Sequence, residues 1–491
     1  MAKDANGTAP RWARRQFLAS AGAMLIAGRT MAATLPDAEV NPFARRDPDG
    51  GLARRPAARP APSPDTLIAR AGLAGVVGYA AIDPVTGAVI AQNGAGAMAP
   101  ASTLKTITAM FALDRLGPDY RFRTRVIRSG DLLILAGGGD PRLDTDDLAE
   151  LAAMTAAAVT TPPTRFAVWG GALPYVDELA PEQADHLAFN PSMSGMMLNF
   201  NRVYLGWQAG GAGLTAEARA DRHSPRAYTI GASAGPGTLF GYRADDDREY
   251  WRVSPAGMRR AGSRWMPVRK PELYAGDVFQ TLCRANGLAL PKPEVITELP
   301  AGSEVASLDS PPLTQILTDM LAYSTNLTAE AVGLTASGAT TQAASADAMS
   351  QWLRGQGVPG DFAFADHSGL SPNSRISPQS MARAVAGPGR AAGLARLLKT
   401  DPLAEDLGRD TALHGVVTAK TGTLNFVSNL AGYANIPGGR EIAFAVFCAD
   451  EPRRAASAGQ ELPDGVIGWT RRAKTLQRGI VESLVTGHDA G

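Results

Sequence analysis

The sequence predicts an α+β domain whose chain is interrupted by a large, mostly β insertion. Strand and helix patterns occur near both ends of the chain, whereas the stretch of residues 121–299 is rich in glycine, proline and short strand-like runs. Elements that bury one apolar face must pack against partners, so the two ends are expected to form one domain. We therefore predict a catalytic domain over residues 64–120 and 300–486, and one or two inserted subdomains over residues 121–299.

The first half of this domain begins with a predicted hairpin and a helix. Apolar runs at residues 76–82 and 88–92 flank Asp83-Pro84-Val85-Thr86-Gly87, a turn-forming segment. Pro100 then stands where a helix can begin. The apolar residues after Ser102 have helical spacing, at Leu104, Ile107 and Phe111.

The second half ends with strands and a long helix. Residues 416–424 and 441–448 read as strands around a turn at residues 437–439. A stripe of apolar residues at helical spacing predicts the final helix, with Trp469, Ala473, Leu476, Ile480 and Leu484 on one face.

Ser102-Thr103-Leu104-Lys105 is the first of three short motifs that occur in order. Ser102 and Lys105 are three residues apart, so they share one face of the predicted helix. A hydroxyl becomes a useful nucleophile when a base takes its proton. A lysine is such a base only if its surroundings lower its pKa. The alternative interpretation is a helix cap followed by a solvated lysine.

The second motif is Ser324-Thr325-Asn326, between the apolar runs at residues 316–321 and 327–334. This position predicts a short connection between two helices, where side chains project into a cleft. Helix capping is the alternative role for Ser324 and Asn326. Ser371-Pro372-Asn373 matches the same S-x-N pattern, but it lies in a turn-rich stretch and is better explained as a loop.

The third motif is Lys420-Thr421-Gly422, followed by Thr423, in a β-branched run that predicts a strand. Gly422 lets a substrate backbone approach closely. Lys420 and the hydroxyls of Thr421 and Thr423 can hold a carboxylate, and the N–H groups of Thr423 and Ser102 can form an oxyanion hole. An exposed strand lysine before a bulge glycine is the alternative.

With these motifs the chain resembles the D-alanyl-D-alanine carboxypeptidase/endopeptidase group, the low-molecular-mass class C penicillin-binding proteins. Further runs carry the resemblance, at residues 100–105, 114–117, 122–124, 136–141, 366–371, 375–378 and 419–433. His367 departs from the glycine that the family usually has there, which puts the local turn in question. The resemblance implies a β-lactamase/transpeptidase-like domain, an antiparallel sheet flanked by helices, with the insertion between the first and second motifs.

The resemblance also implies a function and a set of roles. Members of the family hydrolyse D-Ala-D-Ala peptides, or D-Ala–diaminoacyl cross-links, in bacterial peptidoglycan through an acyl-serine intermediate, and β-lactams acylate them. Ser102 corresponds to the nucleophile and Lys105 to the proton acceptor. Ser324 and Asn326 correspond to the second motif, and Lys420, Thr421, Gly422 and Thr423 to the substrate-carboxylate side. No cofactor is implied.

Two other function classes remain as alternatives. A β-lactamase-like serine hydrolase would share the catalytic core, but simple β-lactamases lack a large insertion. A non-catalytic cell-wall-binding protein would not need intact catalytic motifs.

Neither a metal nor an esterase site is indicated. The five histidines lack metal-ligand spacing. Gly231-Ala232-Ser233-Ala234-Gly235 is followed at once by Pro236-Gly237, which predicts a loop.

The composition and the N-terminal residues predict which partners the protein has and where in the cell it acts. The 491 residues carry a net charge of +1, so no nucleic-acid partner is expected. Residues 1–33 read as a signal peptide that would send the protein to the periplasm. Arg14-Arg15-Gln16-Phe17-Leu18 favours the twin-arginine type over an ordinary secretory signal. Residues 34–63 read as a Pro/Ala/Arg-rich linker. No later segment is apolar for long enough to span a bilayer, and whether Cys283 and Cys448 pair is left open.

Overall fold

The computed structural model describes residues 62–408, 416–436 and 439–486. The predicted signal peptide, most of the predicted linker, the turn at residues 437–438, His414 and His488 lie outside these residues. The helices are α1 Pro64–Ala71, α2 Leu104–Leu116, α3 Thr145–Ala158, α4 Pro271–Ala285, α5 Leu313–Tyr323, α6 Asn326–Ser337, α7 Gln342–Gly355, α8 Pro378–Ala384, α9 Pro402–Leu407, α10 Glu451–Ala456 and α11 Val466–Thr486.

Most strands of the described chain are short. They are β1 Val76–Ile82, β2 Val89–Gln92, β3 Arg123–Ser129, β4 Leu132–Ala136, β5 Arg165–Trp169, β6 Arg202–Trp207, β7 Thr215–Glu217, β8 Ile230–Ala234, β9 Phe240–Ala244, β10 Glu249–Val253, β11 Gly262–Pro267, β12 Pro293–Ile296, β13 Ser303–Asp309, β14 Phe362–Ala363, β15 Arg375–Ile376, β16 Lys399–Thr400, β17 Val417–Leu424, β18 Val427–Ile436 and β19 Arg440–Ala449.

The two ends of the chain meet in one antiparallel sheet of six strands, ordered β16-β17-β18-β19-β1-β2. β1 pairs with β19 along its whole length, from Val76↔Ala449 to Ile82↔Ala443. One face of the sheet packs against α11 and α1. The other face packs against the helices that surround α2. The predicted α+β domain with an antiparallel sheet between helices is confirmed.

Helix α2 runs through the middle of the helical layer and positions the first motif. Its residues from Leu104 to Ala112 are all buried, including Lys105, Thr106 and Thr108. Thr108 Oγ1 donates to the carbonyl of His367 at 2.6 Å, so one polar member of the helix is satisfied by the loop beside it. The helix ends at Gly117, whose φ of 80° lies in the left-handed region.

The insertion between α2 and α5 has its own sheets and its own core. A mixed five-stranded sheet has the order β12-β5-β4-β3-β13, and two three-stranded sheets follow the orders β11-β6-β7 and β8-β10-β9. β13 pairs with β3, so residues 303–309 belong to the same sheet as strands of the insertion. Its helices α3 and α4 pack against these strands.

One local prediction was wrong. The segment at residues 231–235, expected as a loop, instead contributes residues 231–234 to strand β8, which pairs in parallel with β10. Proline and glycine after Ala234 end this strand, and the next element is strand β9, so the helix that an esterase nucleophile requires is absent from this part of the described chain.

Candidate active site

Ser102 lies in a 3₁₀ turn, Ala101–Thr103, directly before helix α2. Ala101 has a φ of 47°, a left-handed conformation that alanine rarely adopts. Such strain persists where surrounding structure holds it, and it commonly marks a functional site. Asn429 of β18 supplies part of that support, because its Nδ2 donates to the carbonyls of Ala99 and Pro100, each at 2.8 Å.

Lys105 is fully buried beneath Ser102, and its Nζ has three neighbours at hydrogen-bond distance. These are Ser102 Oγ at 2.9 Å, Asn326 Oδ1 at 2.8 Å and the carbonyl of Ser368 at 2.8 Å. The amide and carbonyl oxygens can only accept, so they use two N–H bonds of a neutral lysine. Its lone pair then points to Ser102 Oγ, which is the geometry that a general base requires.

The environment of Lys105 also suits proton transfer near neutral pH. Burial lowers the pKa of Lys105 to about 7, although the carboxylates of Asp366 and Glu330 raise it. Lys420, a second buried lysine, lies close enough for the two amines to repel each other as cations. A base is most effective when its pKa lies near the working pH.

The second motif occupies the connection between α5 and α6. Ser324 ends α5 in the left-handed conformation, with a φ of 61°, and Asn326 is the first residue of α6. This turn aims Ser324 Oγ at Lys420 Nζ, 3.0 Å away, and Asn326 Oδ1 at Lys105. Ser371-Pro372-Asn373 lies in a loop, where Ser371 Oγ accepts from the backbone N–H of Asn373.

The third motif lies on β17, at the edge of the sheet. Lys420 Nζ donates to Ser324 Oγ and to the carbonyl of Thr421, at 3.0 and 2.7 Å. Burial, followed by repulsion from Lys105, holds the pKa of Lys420 well below its usual range. A Cβ at Gly422 would lie 2.9 Å from the carbonyl oxygen of Pro100 and from the amide nitrogen of Ser102. Only glycine lets this strand pack so closely against the turn that carries Ser102.

The edge of β17 is open beside this motif. β16 pairs only with Thr418 and Ala419. Among the described residues, therefore, no strand pairs with the outer edge of β17 from Lys420 to Leu424. An extended peptide can add to such an edge through main-chain hydrogen bonds. Thr421 and Thr423 stand on this unpaired stretch, next to the buried Lys420.

Sequence reasoning missed several groups that hold this arrangement. Asp366 and Glu330 are fully buried carboxylates behind Lys105, and Phe189 of the insertion accepts a hydrogen bond from Asn326 through its carbonyl. An acidic residue inside the apolar run at residues 327–334 was the available signal for Glu330. A backbone carbonyl such as that of Phe189 leaves no signal in a sequence.

His367 fits the turn because residues on the neighbouring helices α6 and α7 accommodate its side chain. It is fully buried, stacks on Phe111 with 6.4 Å between ring centroids, and its Nε2 lies 2.7 Å from Ser345 Oγ. Burial lowers the pKa of His367 to about 4, so the ring is neutral. A Cβ at Gly333 would lie 2.2 Å from His367 Cγ, so glycine at residue 333 makes room for the imidazole.

Neither a metal cluster nor a membrane-spanning helix occurs in the described chain. Within residues 62–408, 416–436 and 439–486, three or more histidine, cysteine, aspartate or glutamate side chains nowhere gather in a group that could hold a metal ion. No helix in the same residues is long and apolar enough to cross a membrane.

Comparison with known proteins shows which proteins this chain is similar to. The chain is 27% identical over 471 residues to a D-alanyl-D-alanine carboxypeptidase of Actinomadura sp. (strain R39), covering 82% of this chain and 85% of that protein. It is 28% identical over 384 residues to a carboxypeptidase of Mycobacterium tuberculosis, covering 72% and 71%.

A crystal structure of penicillin binding protein 4 from Haemophilus influenzae superposes with a TM-score of 0.69 at 20% identity, covering 85% of this chain and 98% of that one. This likeness confirms the predicted fold. The family model of D-Ala-D-Ala carboxypeptidase 3 (S13) matches residues 65–473, far more than half of the sequence. The chain therefore belongs to the D-Ala-D-Ala carboxypeptidase 3 (S13) family, and it is a serine-type D,D-peptidase that acts on peptidoglycan.

Proposed function

We propose that Ser102 is the nucleophile of a D-Ala-D-Ala carboxypeptidase reaction on peptidoglycan stem peptides. The observation that carries this proposal is the contact between Ser102 Oγ and the buried Lys105 Nζ at 2.9 Å. Lys105 accepts the serine proton as Ser102 attacks the carbonyl carbon of the penultimate D-Ala. The backbone N–H groups of Ser102 and Thr423 stabilise the resulting oxyanion.

Collapse of this intermediate breaks the peptide bond and gives an acyl-serine. The proton that Lys105 took from Ser102 passes by way of Ser324 to the leaving nitrogen, which leaves Lys105 neutral again. Ser324 Oγ lies 3.0 Å from Lys420 Nζ. Water then attacks the ester as Lys105 accepts its proton. The bond between the acyl carbon and Ser102 Oγ breaks, Lys105 returns the proton to Ser102 Oγ, and the free peptide leaves. Lys420, Thr421 and Thr423 hold the C-terminal carboxylate of the substrate, and Gly422 allows its backbone to approach.

The same site would be acylated by β-lactams, since these compounds present a reactive amide and a carboxylate. A solved relative, penicillin binding protein 4 of Haemophilus influenzae, is complexed with a β-lactam. D,D-endopeptidase activity on cross-links is a second use of the same chemistry, because only the leaving amine differs. We also propose export to the periplasm through the signal peptide predicted at residues 1–33.

Labelling with a fluorescent penicillin tests the site assignment directly. The wild-type protein should become covalently labelled, and peptide mapping should find the label on Ser102. Ser102→Ala should fold and remain unlabelled. A labelled alanine variant would refute the nucleophile assignment.

The lifetime of the label separates the alternatives. A carboxypeptidase should hold the penicilloyl group for many minutes, whereas a β-lactamase-like hydrolase should release it quickly. A folded wild-type protein that binds peptidoglycan but takes no label would favour a non-catalytic wall-binding role.

A further inference from the structure

Glu330 is a fully buried carboxylate on α6, one helical turn after Asn326. Its oxygens accept from the backbone N–H of Ser368 at 2.8 Å, from that of His367 at 3.1 Å and from Gln342 Nε2 at 3.1 Å. All of these partners donate, which is the arrangement that an ionised carboxylate requires. Burial raises the pKa of Glu330, whereas the hydrogen bonds from Ser368, Gln342 and His367 lower it and favour the ionised form. Burying such a charge is costly, so its retention beside the candidate site calls for a reason.

The peptide unit of Ser368 links this carboxylate to the catalytic lysine. Its N–H donates to Glu330, and its carbonyl accepts from Lys105 Nζ at 2.8 Å. The neighbouring carbonyl of His367 accepts from Thr108 on α2. The loop that orients Lys105 is therefore held between α6 and α2. Glu330 supplies the attachment to α6.

We propose that Glu330 is a positioning residue for catalysis. It fixes the His367–Ser368 segment so that the Ser368 carbonyl directs the lone pair of Lys105 toward Ser102. Its negative charge also makes Lys105 hold its proton to a higher pH than burial alone would allow. This inference rests on the proposed role of Lys105 as the general base.

The titratable groups around Lys105 come from three elements that surround α2. Glu330 lies on α6, Asp366 and the neutral His367 lie on the loop after β14, and Lys420 lies on β17. Asp366 accepts from Ser368 Oγ and from the backbone N–H of Ser371, so it folds the loop onto itself. Glu330 differs because it attaches the loop to a helix.

The test is the pH dependence of acylation by a fluorescent penicillin, followed from about pH 5 to about pH 9. Glu330→Gln should lower the limiting rate by about tenfold to a hundredfold, by analogy with the loss seen when a hydrogen-bond partner behind a metal ligand is removed. The acid limb is the part of the pH profile where the rate falls because Lys105 becomes protonated. It should move to lower pH, because Lys105 loses one of the two carboxylates that raise its pKa.

Two more variants separate orientation and charge from simple loss of stability. Glu330→Asp keeps the charge but withdraws the carboxylate from the loop, so the rate should fall while the acid limb stays. Glu249→Gln is the matched control. Glu249 is 1% exposed and accepts from the backbone N–H groups of Arg269 and Lys270 in the insertion. The Glu249→Gln variant should have a lower midpoint of thermal unfolding and an unchanged acid limb.

The outcomes are distinguishable. A Glu330→Gln enzyme with the wild-type rate and acid limb would overturn the inference, as would one that differs only in thermal stability, like Glu249→Gln. If Glu330→Gln does not fold, a wild-type rate in Glu330→Asp would overturn it. Failure of the proposed function would appear elsewhere, as covalent labelling of Ser102→Ala or as a wild-type enzyme without an acid limb.

Discussion

Asn326 Nδ2 donates to the carbonyl of Phe189 at 3.1 Å, and its Oδ1 accepts from Lys105 Nζ at 2.8 Å. A carbonyl oxygen can only accept, so Phe189 fixes which end of the Asn326 amide faces the lysine. Phe189 belongs to the insertion. The insertion therefore contributes a backbone group to the candidate active site, in addition to the sheets that it builds.

The buried side chain of Arg269 helps to hold the segment around Phe189. It donates to the carbonyls of Asp177, Asp185 and Asn190, and it forms an ion pair with Glu178 at 3.1 Å. A planar guanidinium with five donors is suited to binding several carbonyls at once. These contacts keep the Phe189 carbonyl in place opposite Asn326.

Asn326→Asp should shift the pH dependence of acylation to higher pH. The new carboxylate raises the pKa of Lys105. The substitution also removes the amide N–H that donates to the Phe189 carbonyl. The acylation rate by penicillin, measured across pH, checks this. Asn373→Asp is the control, since Asn373 is exposed in the competing S-x-N sequence. A shift in the control and none in Asn326→Asp would restore Ser371-Pro372-Asn373 as the second motif.

Lys105→Arg should lose roughly two to four orders of magnitude in acylation rate, the usual contribution of general base catalysis. Arginine keeps the charge but does not release its proton at working pH. In the wild type, the rate should fall as the pH drops below about 7, because burial sets the pKa of Lys105 near that value. Near-normal acylation by the arginine variant would leave Lys105 with a charge role only.

The catalytic domain could be predicted because its elements have strong local patterns. The hairpin of β1 and β2, the apolar helix after Ser102 and the stripe of α11 all occur where the periodicity placed them. The large insertion was located, but its mixed sheet was not foreseen. Parallel pairing of β4, β5 and β12 depends on contacts between distant segments, which local patterns do not encode.

That the three motifs meet could be predicted because each is a short, recognisable run of residues, whereas the roles of their side chains remain predictions. Ser102, Lys105, Ser324, Asn326 and Lys420 are brought together by hydrogen bonds. The backbone groups around them could not be predicted. The carbonyls of Ser368 and Phe189 reach Lys105 and Asn326 only through tertiary packing, and any residue type could supply them.

Gly333→Ala should destabilise the fold, because its Cβ would lie 2.2 Å from His367 Cγ. Overpacking of this kind typically costs about 1–3 kcal/mol. Thermal and denaturant unfolding measure the loss, and Gly333→Ala combined with His367→Gly should recover most of it. Gly355→Ala on α7 is the control, since a Cβ at this residue would have no contact within 4 Å. Equal stability of the two single variants would mean that the turn tolerates displacement of His367.

Lys420→Ala should raise KM more for a peptide with a free C-terminal carboxylate than for its amide. Lys420 stands on the open edge of β17, where a substrate strand can pair, and its Nζ lies within 3.0 Å of Ser324 Oγ. Losing a hydrogen bond to a charged group costs roughly 1.5–3 kcal/mol, about one to two decades in binding. Steady-state kinetics on a D-Ala-D-Ala peptide and its C-terminal amide measure the difference.

Lys399→Ala, which removes a charge from the neighbouring strand, should affect both substrates alike. Equal losses on both substrates in Lys420→Ala would assign this lysine to the chemistry or the fold instead of to carboxylate binding.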